Sequence, residues 1–238
     1  MDYIVVIPAR YKSTRFPGKP LIDLNGKSML LRTYEQCKKA VDEKLIYVAT
    51  EDQRIVDHCN QFGMNVLLTS DNCLTGTDRV AEVSQQIKAD YYINVQGDEP
   101  VFDPEDITII ISRLKAHAGE ILNGYCAIAS EKQYRSVSIP KVVFRPDGRL
   151  LFMSRSAIPG NKQGEFVKGW RQVCIYAFPY DALQDFAATK VKTNLEAEED
   201  IEIMRFIELG YEVRMLQLSS SSIAVDTPED MEEVLKRL

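Results

Sequence analysis

The chain has 238 residues and a mass of 27.1 kDa, which suits one domain or one domain with an embedded subdomain. Hydrophobic residues make up 45% and charged residues 27%, the balance of a soluble globular protein. A formal net charge of -6 and a pI near 5.1 argue against nucleic acid or an anionic membrane as partner. Any phosphate site must therefore gather its cations locally.

Tyr3 to Ile7 is a short β-branched run, the pattern of a strand buried on both faces. It breaks at Pro8 into a segment rich in Arg, Lys, Ser, Gly and Pro. Ser28 to Ala40 has helical periodicity, Leu45 to Ala49 reads as a second strand, and Gln53 to Phe62 as a second helix. A short strand at Asn65 to Leu68 and a loop at Ser70 to Thr77 precede a helix over Asp78 to Ile87. Tyr91 to Val95 is another buried strand, ending in Gln96-Gly97-Asp98, and Asp103-Pro104-Glu105-Asp106 is a helix start. Strands alternating with helices of this length predict an α/β fold, a mostly parallel central sheet flanked by helices.

The pattern changes after about Gly119. Residues 121–130, 141–144, 149–153 and 172–178 read as strands joined by turns such as Pro146-Asp147-Gly148, a smaller mixed or antiparallel addition. An embedded subdomain over roughly 121–190 is therefore expected within a single domain of 1–238. Glu196 to Leu209 reads as one acidic amphipathic helix, Glu212 to Leu216 as a strand, and Pro228 to Leu238 as a terminal helix.

The five cysteines are scattered without a C-x-x-C pair, and two histidines, His58 and His117, cannot form a histidine-rich metal centre. The first residues turn polar too soon for a signal peptide. No apolar run approaches the ~20 residues that span a bilayer, so the cytoplasm is the expected location.

Ligands of open parallel sheets bind at the carboxyl ends of the strands, and the unusual residues fall there. Arg10, Lys12, Arg15 and Lys19 lie within ten residues of one another, interleaved with Ala9, Ser13, Thr14 and Gly18. Backbone N–H groups and converging cations are what a triphosphate needs; the alternative is a solvated basic loop. The loop is neither a Walker motif nor G-x-G-x-x-G, which disfavours a kinase, an ATPase or a dehydrogenase. Asp98, at a strand end and freed by Gly97, is placed to hold Mg²⁺ against a nucleotide phosphate. Asp226 ends a second apolar run, Ile223-Ala224-Val225, where it is either a second metal carboxylate or a plain helix cap.

Taken together, the segments IPARYKSTRFPGKPL (7–21), VATED (48–52), TGTDRV (75–80) and NVQGDEP (94–100) resemble the 3-deoxy-D-manno-octulosonate (Kdo) cytidylyltransferases. KVV (141–143), SRSAIP (154–159), IYAF (175–178), LEAEEDIEIMR (195–205) and VDTPEDM (225–231) extend the likeness to the whole chain. The resemblance implies a Rossmann-like nucleotidyltransferase fold, a homodimer and a Mg²⁺-dependent transfer of CMP from CTP to an acidic 2-keto sugar. It implies that Pro8, Ala9 and Arg10 line the base and phosphate site and that Arg15 and Lys19 neutralise the triphosphate, with Arg10, Arg15, Lys19 and Asp98 as the catalytic set. Thr75, Gly76 and Arg79 would hold the nucleoside and sugar side. Asp98 and Asp226 would carry the metal, and Gln96, Arg155, Gln172 and Glu196 would face the sugar, Arg155 pairing with its carboxylate. Gln172 stands where the family usually carries His, and the loop at 160–169 is short, so an amino-substituted octulosonate or a nine-carbon acid is the alternative substrate. A non-catalytic nucleotide binder, or a transferase using UTP or GTP, are the remaining readings.

Overall fold

The computed structural model describes residues 1–12, 16–225 and 227–238. Two of the expected site residues, Arg15 and Asp226, lie outside the described residues. The first strand, β1 (Tyr3–Pro8), sits between β4 (Ile46–Thr50) and β6 (Tyr91–Val95), both parallel to it, and β5 (Val66–Leu68) adds to β4. Before β4 come a small hairpin, β2 (Asp23–Leu24) with β3 (Lys27–Ser28), and helix α1 (Met29–Ala40). Helices α2 (Gln53–Gln61), α3 (Gly76–Gln86) and α4 (Pro104–Arg113) follow β4, β5 and β6 respectively.

The chain thus builds outward from β1 to β4 and β5, then returns to the other side of β1 for β6. That reversal opens a crevice at the carboxyl ends of β1 and β6, where open α/β sheets bind ligands. β1 is buried on both faces because it alternates between two cores. Val5 and Ile7 pack with Tyr34, Ile55 and Ile107 on the α1, α2 and α4 side. Ile4 and Val6 pack with Val80, Val83 and Phe206 on the other.

Beyond β6 the sheet continues through β10 (Trp170–Pro179) to β7 (Ile121–Ala127) and β11 (Val213–Gln217). Of these, β10 runs against both neighbours, whereas β11 is parallel to β7. Both β7 and β10 therefore belong to the main sheet. What stands off it lies between them: the short helix α5 (Glu131–Arg135) and the antiparallel ribbon of β8 (Lys141–Phe144) and β9 (Leu150–Ser154), attached to β10 at Lys141 and Arg171.

After β10, helix α6 (Tyr180–Ala188) packs against α3. The acidic stretch expected as one helix over 196–209 is two: α7 (Asn194–Glu199) and α8 (Ile203–Glu208). Asp200 adopts the left-handed conformation, φ 51°, and ends α7. Every third residue from Glu196 to Arg205 is charged, a periodicity that runs through the break and conceals it. The C-terminal helix α9 (Pro228–Leu235) opens with Thr227 and Asp230 in reciprocal capping bonds.

Candidate active site

A cleft of about 860 Å³ opens at the carboxyl ends of β1 and β6. Lining it are Pro8, Ala9, Arg10 and Lys19; Thr75, Gly76 and Arg79; Gln96 and Asp98; Arg155, Gln172 and Glu196, whereas Lys12, the other described cation of the loop, is not among the lining residues. Residues separated by nearly the whole chain are thus brought together, and four groups can be told apart by what holds them.

The first is the basic loop after β1. The Ala9 N–H donates to the Ala49 carbonyl at 2.9 Å, extending the sheet pairing one residue past the strand. Tyr11 then anchors the loop from three directions. Its N–H donates to Glu51 Oε1 at 3.1 Å, its carbonyl accepts from the Gly18 N–H at 3.0 Å, and the Arg54 guanidinium lies 3.3 Å from its ring centroid. Gly18 has φ 72°, a conformation that favours glycine, and a Cβ there would stand 3.1 Å from the Tyr11 hydroxyl. Arg10 points into the cleft region exposed, with no hydrogen bond or ion pair among the described residues.

The second group is the end of β6. A Cβ on Gly97 would sit 2.9 Å from the Pro8 carbonyl oxygen, so glycine is what lets the ends of β1 and β6 close together. Gly97→Ala is expected to destabilise the fold by about 1–3 kcal/mol, because backbone cannot move aside as a side chain could. A thermal melt checks it; an unchanged melt would show that the strand ends yield. Beyond Gly97, Asp98 meets the Lys19 ammonium at 2.7 Å. The Asp98 carbonyl accepts from the Val225 N–H at 3.0 Å, which docks the chain just ahead of Asp226 against this strand end. Glu99 turns inward and is buried. Burial pushes its carboxyl up to about 7, opposed by the Ser222 hydroxyl that donates to it and reinforced by the Asp98 charge.

The third group is the amino terminus of α3. Thr75 and Asp78 cap it reciprocally: the Thr75 N–H donates to Asp78 Oδ2 at 2.8 Å, and the Asp78 N–H to Thr75 Oγ1 at 3.2 Å. The Gly76 and Thr77 N–H groups donate to the Glu202 carboxylate at 3.2 and 2.9 Å. The positive end of α3 is therefore already matched by an internal carboxylate. Burial raises the Glu202 pKa, against the opposing effect of the Thr77 donors. Arg79 is buried and reaches Glu51 Oε2 at 2.9 Å and the Ser70 carbonyl at 3.3 Å. Glu51 so joins α3 to the stem of the basic loop.

The fourth group forms the opposite wall. Gln172 donates to Asn123 Oδ1 at 2.9 Å, while Asn123 donates to the Val173 and Ile175 carbonyls at 3.0 and 3.1 Å, across a bulge in β10. Arg155 turns its donors onto backbone carbonyls of Val137, Glu199 and Asp200. Glu196 is fully buried, with both carboxylate oxygens on Arg205 at 2.6 Å. Sequence reasoning placed Arg155 and Glu196 at this wall, but not what each one holds there. Glu99, Glu202 and Tyr176 also line the cleft and were not singled out as site residues. For Glu99 the signal was at hand, since it follows Asp98 directly; for Glu202 the helix break hid it.

A cytidylyltransferase family profile matches residues 4–216. The chain belongs to the cytidylyltransferase family. It is 37% identical over 239 residues to a 3-deoxy-manno-octulosonate cytidylyltransferase of Protochlamydia amoebophila, with 97% of this chain and 92% of that protein covered. It is 36% identical to an 8-amino-3,8-dideoxy-manno-octulosonate cytidylyltransferase of Shewanella oneidensis, covering 100% and 99%. Among solved structures it is similar to a CMP:2-keto-3-deoxy-manno-octonic acid synthetase complexed with CTP, at TM-score 0.91 and 34% identity, over 100% of this chain and 98% of that one. The cleft of this cytidylyltransferase sets the exposed Arg10 and the Lys19–Asp98 pair on one side against Gln172 and a carbonyl-bound Arg155 on the other.

Proposed function

We propose that this enzyme transfers CMP from CTP to 3-deoxy-D-manno-octulosonate, releasing pyrophosphate. The observation that carries the reading is the single cleft that unites the basic loop, Asp98 and the amide-bearing wall, in a chain 34% identical to a synthetase solved with CTP. In this reading the triphosphate lies along the loop after β1. Arg10 and Lys19 face it, and Arg15 would add a further charge to the loop. Thr75, Gly76 and Arg79 border the nucleoside, and Gln96 and Gln172 present amides to sugar hydroxyls. Glu196 acts at this site through Arg205, and Arg155 through the carbonyls it holds.

Nucleotidyl transfer demands positioning and charge neutralisation more than a dedicated base. Mg²⁺ suits the residues present. Asp98 offers a hard oxygen donor that already draws a cation, Lys19, to 2.7 Å, and the Val225 N–H bonds the Asp98 carbonyl at 3.0 Å. Among the described residues no three potential ligands cluster. Magnesium needs no such cage, since it takes one or two carboxylates and completes its shell with water and phosphate. When bound, it supplies charge neutralisation at the α-phosphate. Asp98 and Asp226 would hold it, with the Lys19 ammonium adding its charge next to Asp98.

A second reading, transfer to an 8-amino octulosonate, rests on Gln172, which cannot carry charge, and relatives of both kinds stand at similar identity. The β8–β9 ribbon, with Leu151 exposed, is the proposed contact for a second copy in a homodimer. The cytoplasm is the proposed location; among the described residues no helix is long and apolar enough to cross a membrane. The test is pyrophosphate release with CTP and Mg²⁺ against a panel of 2-keto sugar acids. Release with Kdo above the other acids is expected. Release only with the amino sugar would select the second reading, and none with any acid would overturn both.

A further inference from the structure

Two cations at the wall opposite the basic loop are turned onto backbone carbonyls. Lys141, at the start of β8, is fully buried, yet the contacts of its ammonium are all to main chain. Nζ donates to the Ser136 and Ile139 carbonyls, each at 2.7 Å, and to the Arg155 carbonyl. Its three protons are thereby all used. Arg155 in turn donates from Nε to the Glu199 carbonyl at 2.6 Å, from Nη1 to the Val137 carbonyl at 3.1 Å and from Nη2 to the Asp200 carbonyl at 2.8 Å. The Glu199 carboxylate closes the ring, accepting from the Arg155 N–H at 2.9 Å and from the Ser154 hydroxyl at 2.7 Å.

Three separate stretches of chain are pinned in this way: the 136–139 turn, the end of β9, and the break between α7 and α8. Val137, Ser138, Arg155 and Asp200 from these stretches all line the cleft. Packing alone does not call for an ammonium here. A methionine would fill comparable space without the cost of removing a charge from water, and burial indeed holds the Lys141 pKa below its ordinary value. What a methionine lacks is donors. Carbonyl oxygens aimed at one point repel one another, and the donors of the ammonium between them hold them there.

We propose that Lys141 is a positioning residue for sugar-acid binding: by tying the 136–139 turn to Arg155 it fixes the wall against which the sugar is read. This rests on assigning that end of the cleft to the sugar. The nucleotide side hangs on different anchors, Ala49, Glu51 and the β1–β6 contact, so loss of Lys141 has no route to it through these bonds.

The test separates the two substrates. Lys141→Met is expected to raise KM for the sugar acid about 10- to 100-fold, as a misplaced wall of about 1 Å would, while KM for CTP stays at the wild-type value. A variant with a lowered melting temperature but both KM values unchanged would overturn the proposal, leaving Lys141 a purely structural residue. So would KM values that rise together. If Lys141→Met does not fold, Lys141→Arg takes its place, keeping a buried cation but forcing its donors into a plane; the same split is expected and its absence has the same meaning. Failure of the functional reading is distinct, because the wild-type enzyme would then release no pyrophosphate with any sugar acid.

Discussion

Asp98→Ala is expected to reduce kcat by at least about 1,000-fold, since a metal neutralising transferred phosphate contributes several kcal/mol and about 1.4 kcal/mol is one decade of rate. The fold should survive. The Asp98 side chain is 33% exposed and packs against no core, and the backbone bond it offers, its carbonyl to the Val225 N–H, does not depend on the side chain. Two further measurements identify the cause. With the divalent ion removed by EDTA, CTP binding to the variant should match or exceed the wild type, because a carboxylate without its ion repels the triphosphate and Lys19 is no longer drawn to Asp98. With Mg²⁺ present, the wild type should gain CTP affinity and the variant should not. A folded Asp98→Ala enzyme turning over near the wild-type rate would remove Asp98 from the metal site altogether.

The parts of this site that could be read in the sequence are those whose chemistry is local. A β-branched run followed by Arg10 and Lys19 announces both a buried strand and a phosphate loop within a few residues, and the cleft lies there. Gly97 before Asp98 is equally local, and the close approach of the Pro8 carbonyl explains the glycine. The parts that could not be read are those in which a residue's partner is a backbone group or lies far along the chain. Arg155 looks like a free cation for a substrate carboxylate, yet its fork closes on carbonyls at 137, 199 and 200. Glu202 looks like one more solvated acid on a helix, yet it sits on the Gly76 and Thr77 N–H groups, 126 and 125 residues away. In both cases the break at Asp200 decides the geometry, and nothing in the periodicity of LEAEEDIEIMR marks it.

Glu196→Ala is expected to cost about 3–5 kcal/mol of stability, the range for removing one partner of a buried ion pair. Arg205 has no exposed side-chain surface. It meets the two Glu196 oxygens at 2.6 Å each, Asp78 at 3.2 Å, the Phe186 carbonyl at 3.4 Å and the Thr189 carbonyl at 3.3 Å, and lies 3.7 Å from the Phe186 ring centroid. Burial opposes its charge, but the two carboxylates outweigh that, and its pKa stands above the ordinary value. Without Glu196 the guanidinium would stay buried with Asp78 as its single carboxylate, and Asp78 is also the cap of α3. In a chain of 238 residues each kcal/mol shifts the melting temperature by about 2–4 °C, so a drop of about 6–20 °C is expected. The loss should reach the cleft, because Thr75 and Gly76 are placed by the same helix terminus. Replacing both partners, Glu196→Leu with Arg205→Met, should recover most of the lost stability, since the penalty lies in the unpaired charge and not in the missing attraction. A Glu196→Ala enzyme that melts with the wild type but has lost only its affinity for the sugar acid would reverse this assignment, returning the carboxylate to direct contact with substrate.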